Sequence, residues 1–66
     1  MQNTIKTRRT DLHWSQAELG ERLGVSRQTV IAIENGKYDP SLPLAFKLAA
    51  VFGASIEDLF TPAAEE

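Results

Sequence analysis

The chain has 66 residues, 42% hydrophobic and 24% charged, which suits one small folded unit and excludes both a disordered and a membrane-spanning composition. It has no cysteine, which excludes disulfides, thiolate catalysis and cysteine-ligated zinc, and a single histidine, His13, which argues against a metal cluster or a histidine-based triad. The start, Met1-Gln2-Asn3-Thr4, has no basic stretch followed by an apolar one, and no apolar run approaches the roughly 20 residues of a membrane helix. The expectation is a soluble, cytoplasmic chain with no membrane association, no metal and no cofactor, which binds rather than catalyses. The net charge of -2 hides an asymmetry. Residues 1–37 carry six cations (Lys6, Arg8, Arg9, Arg22, Arg27, Lys37) and four anions, net +2, whereas residues 38–66 carry one cation and five anions, net -4. A basic face in the first half suits a nucleic-acid partner, although a solvated mixed-charge surface reads similarly.

Five helices follow in chain order. Ile5, Arg8, Arg9 and Leu12 recur at spacings of three and four, which predicts a first helix from about Thr4 to Leu12 with Asn3 or Thr4 as cap. Ser15-Gln16-Ala17-Glu18 reads as a capping box opening the second helix, with Trp14 stapled to Leu19 across the cap. Leu19 and Leu23 form its inner face, and Gly24 ends it. Ser26 caps a third helix, with Val25 and Val30 as a second staple and Val30 and Ile33 inward. Asn35-Gly36 closes it. Ser41 opens a fourth helix, whose stripe is Leu44, Leu48 and Phe52 with Ala45 and Ala49, and Gly53 ends it. Ser55 starts a short fifth helix that brings Leu59 to the core. Residues 61–66 are expected to fray, around a core of about 5–60 within one domain of 1–66. No long alternating strand is legible, although a short terminal one remains open.

Two helices separated by Gly24-Val25-Ser26 match a helix-turn-helix. The inner positions agree with one another. Gly20 is small where the two helices approach, Gly24 opens the turn, Val25 plugs it, and Leu19, Val30 and Ile33 hold the helices together. With Val30 and Ile33 inward, Gln28, Ala32 and Asn35 point outward and Arg27 flanks them in the first turn.

The segment Ser15-Gln16-Ala17-Glu18-Leu19, then Leu23-Gly24-Val25-Ser26-Arg27-Gln28-Thr29-Val30, then Ile33-Glu34-Asn35-Gly36-Lys37 resembles the lambdoid-repressor (Cro/C1-type, Xre-type) helix-turn-helix regulators. Pro40-Ser41-Leu42, Ala45-Phe46-Lys47 and Ile56-Glu57-Asp58-Leu59-Phe60 resemble its small stand-alone members. The resemblance spans about residues 5–60. It implies an all-α, five-helix lambda-repressor-like DNA-binding domain acting as a transcriptional regulator, usually as a homodimer. Gly20 departs from it, since alanine is more usual there.

Recognition by helix 27–35 in the major groove then assigns base contacts to Arg27, Gln28 and Ala32. Gln28 suits adenine and Arg27 guanine, while Ala32 is short enough to touch a thymine methyl. Arg27 has the alternative of a phosphate. The resemblance further implies that Gln16, Thr29, Asn35 and Lys37 hold the DNA backbone. Lys37 also reads as an ordinary partner of the helix dipole. Ser26 is a cap first and a backbone contact second. Arg9 and Glu34 are implied to be a partly buried structural pair, the alternative being Arg9 on a phosphate. Trp14 reads as a staple rather than a stacking platform, and His13 as a solvated turn residue. Ile31 either touches DNA or packs under the fourth helix. Phe46 and Phe60 offer apolar surface for a symmetric contact, unless they complete the core.

The function expected is sequence-specific binding of double-stranded DNA at a palindromic operator by a homodimeric regulator, a repressor before an activator, whose occupancy blocks or recruits polymerase. No small-molecule ligand is implied. The alternative is an antitoxin-like module that masks a protein partner and binds its own operator. The operator sequence, target genes and inducing signal are not legible.

Overall fold

The computed structural model describes residues 2–61. Five helices follow a two-residue strand and precede another: β1 (Gln2–Asn3), α1 (Ile5–Asp11), α2 (Gln16–Leu23), α3 (Arg27–Glu34), α4 (Leu42–Phe52), α5 (Ile56–Leu59) and β2 (Phe60–Thr61). The helices lie where the sequence puts them, within a residue or two at each end.

Local chemistry explains the boundaries. Ser15, Ser26, Ser41 and Ser55 each sit at an N-cap in extended backbone, and each hydroxyl accepts the N–H three residues on. At α5 the box is complete, with Asp58 returning to the Ser55 N–H. The reciprocal half expected at α2 is replaced. Glu18 turns instead to Arg22 one turn later, Oε2 to Nε at 3.0 Å. At α1 the cap position is Thr4, but its side chain does not cap. Asn3 does so, accepting the Ile5 N–H at 3.1 Å, and its amide donates to the Ile33 carbonyl at 2.8 Å. One side chain thus closes the start of α1 and the end of α3.

Gly24 ends α2 with φ 76°, a left-handed conformation that favours glycine. The Gly24 and Val25 N–H groups return to the Glu21 and Gly20 carbonyls, so the turn satisfies the helix end before α3 begins. Matching pairs of bonds close α3 at Gly36 and Lys37, and α4 at Gly53 and Ala54.

The core is continuous across the helices. Ile5, Leu19, Leu23, Val30, Ile33, Leu48 and Leu59 are fully buried, with Leu44, Ala45 and Phe60 close behind. Trp14, Val25, Ala49, Phe52 and Ile56 pack against this cluster half-buried. The Trp14 ring lies 5.8 Å from that of Phe52 and beneath the Arg22 guanidinium at 4.1 Å.

Two expectations change here. Phe60 is 8% exposed and belongs to the core, so it offers no free apolar surface. Thr61, expected to fray, pairs with Gln2, while Asn3 pairs with Phe60, in an antiparallel clasp joining the two ends of the described chain. The Thr4 N–H to the Leu59 carbonyl, at 2.9 Å, continues the clasp. Residues 62–66 of the expected tail lie outside the described residues. No helix among the described residues is long and apolar enough to cross a membrane.

Candidate nucleic-acid interface

The placement of α3 begins with its contact to α2, the most extensive between any two helices here. Leu19 and Leu23 from α2 meet Val30 and Ile33 from α3 in the core. The backbones approach closely enough that a Cβ on Gly20 would lie 2.8 Å from the Val25 carbonyl oxygen. Glycine at this point therefore sets the distance between the two helices, and the hydrophobic side of α3 is fixed. Its opposite side must face solvent.

The first turn of α3 presents Arg27 and Gln28, both exposed. Ala32 follows one turn later, half-buried, and Asn35 is exposed at the C-cap. Gln28, Ala32 and Asn35 share the outward side of the helix, and Arg27 flanks them in the first turn. Thr29 is half-buried beside Ser26, with Oγ1 3.1 Å from the Ser26 hydroxyl, which also accepts the Thr29 N–H at 3.2 Å. Both hydroxyls are therefore engaged in the cap, with lone pairs and rotor freedom left for a further partner. Lys37 is exposed just past the end of α3, where its own N–H returns to the Ala32 carbonyl at 3.0 Å. Ile31 is half-buried on the same helix.

Gln16 is the first residue of α2 and half-buried. Its amide nitrogen donates to Glu34 Oε1 at 3.2 Å, which ties the start of α2 to the end of α3. Glu34 also holds Arg9. The guanidinium Nε donates to Oε2 at 2.6 Å and Nη2 to Oε1 at 3.3 Å, with side chains only 9% and 3% exposed. Arg9 Nη1 donates to the Trp14 carbonyl at 2.8 Å. The pair is bidentate and the surrounding polar atoms are satisfied, which is the condition under which a buried ion pair is tolerated. With three of its donors committed inside the fold, Arg9 is a structural clamp between α1 and α3.

His13 is exposed in the turn after α1, and its N–H donates to the Thr10 carbonyl at 3.0 Å. The described residues hold no group of three or more His, Cys, Asp or Glu side chains placed to bind a metal ion.

Two contacts were beyond sequence reasoning. Gln16 and Glu34 are 18 positions apart, and Asn3 and Ile33 are 30 apart. Each bond joins two different elements across intervening turns, so no local signal marks either of them.

Residues 5–59 match the model of the helix-turn-helix family. An uncharacterized HTH-type transcriptional regulator of Methanocaldococcus jannaschii is 58% identical over 60 residues, covering 91% of each chain. One from Bacillus subtilis is 50% identical over 60 residues, again covering 91% of each. Among solved structures, a hypothetical transcription factor from Neisseria superposes with a TM-score of 0.77 at 31% identity, covering 94% of this chain and 71% of that one.

Proposed function

The chain belongs to the Cro/C1-type helix-turn-helix family of DNA-binding transcriptional regulators, and from that premise we propose that it reads a specific duplex sequence with α3 and represses by occupancy. The observation that carries this reading is the outward side of α3. Arg27 and Gln28 stand exposed in the first turn, the part of a recognition helix that meets base edges, on a helix held rigidly by its buried side. Gln28 pairs with adenine and Arg27 with guanine, while Ala32 gives room for a thymine methyl. Gln16, Ser26, Thr29, Asn35 and Lys37 surround these residues as contacts to the phosphates, which fix register without reading sequence.

One such domain makes few base contacts, and the proposal therefore includes a homodimer on a palindromic operator. Phe46, 59% exposed, and Leu42, 65% exposed, lie one turn apart on α4 and supply apolar surface for a symmetric contact. A two-fold pair sets the two copies of α3 about 34 Å apart, one turn of DNA.

Selection of sites from random duplex DNA, followed by sedimentation of the selected complex, tests both parts. The expected result is an inverted repeat with half-sites about one turn apart and two chains per duplex. Failure to enrich any sequence contradicts the regulator reading. A single half-site holding one chain contradicts the dimer alone.

A further inference from the structure

The carboxylate of Glu34 gathers groups from α1 and α2 onto the last residue of α3. Oε2 accepts Arg9 Nε, and Oε1 accepts both Arg9 Nη2 and Gln16 Nε2. A carboxylate only accepts hydrogen bonds, so the Gln16 atom that faces it is the amide nitrogen and not the oxygen. That nitrogen carries two hydrogens. One is directed at Glu34. The other leaves the nitrogen at a fixed angle to it, on a residue that is half-buried.

We propose that Glu34 is a positioning residue for DNA-backbone binding. By holding one N–H of Gln16, it aims the second N–H at a phosphate oxygen. This rests on the reading of Gln16 as a backbone contact and adds to it the group that orients the donor. A free glutamine loses rotamer freedom when it grips a phosphate, whereas a glutamine already anchored has lost it in the free protein. Arg9 makes the arrangement compatible with DNA. An unpaired carboxylate beside the phosphate path would repel it, and the bidentate guanidinium cancels that charge. The buried pair thus does two things. It clamps α1 to α3, and it sets the amide that opens α2.

The test compares four chains, wild type, Gln16→Ala, Glu34→Gln and the double variant, for affinity to a fluorescent duplex of mixed sequence at one salt concentration. Thermal melts fix a temperature at which each is folded. Gln16→Ala and Glu34→Gln should each weaken binding about three- to tenfold, the size of one net hydrogen bond. The double variant should bind no more weakly than either single one, because Glu34 acts through Gln16. A loss of stability alone would lower the melts without this non-additivity. If wild type binds and Glu34→Gln changes nothing, or adds fully to Gln16→Ala, the positioning role is overturned. If wild type binds no duplex at all, the DNA-binding reading falls and the positioning role with it. Where Glu34→Gln loosens the fold, the Gln16 side-chain amide of the wild type gives the same answer by NMR, assigned by its loss in Gln16→Ala. One proton should sit displaced from its random-coil position before duplex is added, and its partner should shift on addition. Random-coil positions for both, unmoved by duplex, overturn the proposal.

Discussion

His13 holds φ 61°, in the left-handed region that costs a residue with a Cβ about 1–2 kcal/mol. The turn after α1 needs that conformation to send Trp14 toward the core. Because His13 is exposed, glycine should replace it with a small net gain of about 0.5 kcal/mol, after the larger entropy of the unfolded glycine chain is offset. A thermal melt of His13→Gly should rise by about 2–4 °C, and a lower midpoint would show that the imidazole makes a contact worth more than the strain. Arg9 and Glu34 lead to an opposite expectation. Each is buried and each would be left without its counter-charge, so Arg9→Met or Glu34→Leu alone should cost about 3 kcal/mol, while the double variant should cost much less than the sum. Melts or urea titrations of the three variants decide it, and strict additivity would mean that the pair is not one unit. The resemblance to lambdoid regulators already placed these two residues together. Their link to Gln16 was not legible, because it depends on how three helices meet and not on any spacing along the chain.

At the scale of the element, the helix boundaries were legible because caps are local chemistry. A serine accepting the N–H three residues ahead depends on four consecutive residues, and Ser15, Ser26, Ser41 and Ser55 all do this. What competed with local chemistry was less visible. Glu18 could turn back to the cap or forward to Arg22, and the ion pair prevailed. The β1–β2 clasp has two residues in each strand, too few for any alternation to show, and its partners stand at opposite ends of the described chain. The α2–α3 contact gives the sharpest element-scale expectation. Alanine at position 20 would gain about 1 kcal/mol of helix propensity. It would also press a Cβ to 2.8 Å from the Val25 carbonyl, a backbone atom that can yield only if the turn moves. Overpacking of this kind costs about 1–3 kcal/mol, so Gly20→Ala should be destabilising on balance, and its thermal midpoint should fall by several degrees. A rise would show that the turn opens easily and that glycine is not what sets the helix spacing.

For the whole molecule, charge and shape divide the work between attraction and reading. The chain is acidic overall, yet the half that carries α2 and α3 is net basic. Attraction to phosphates should therefore depend on individual cations rather than on a general positive field. Lys37 is exposed beside the end of α3, and Lys37→Ala should weaken binding to every duplex about equally and reduce the slope of log affinity against log salt by about one unit. An unchanged slope would leave Lys37 as a partner of the helix end only. Phe46 shows how much of the molecular surface could be read from the chain. Its position off the α4 stripe was legible from helical period, whereas the burial of Phe60 was not, because it follows from the clasp between the two ends.

The central claim is that α3 reads sequence from its first turn, and the most direct measurement is the affinity and base preference of Gln28→Ala on the site that the wild-type chain selects. The expected result is a loss of about 1–3 kcal/mol, with preference relaxed at one base position in each half-site and retained at the others. An unchanged site bound with unchanged affinity would contradict the claim and move the reading surface away from α3.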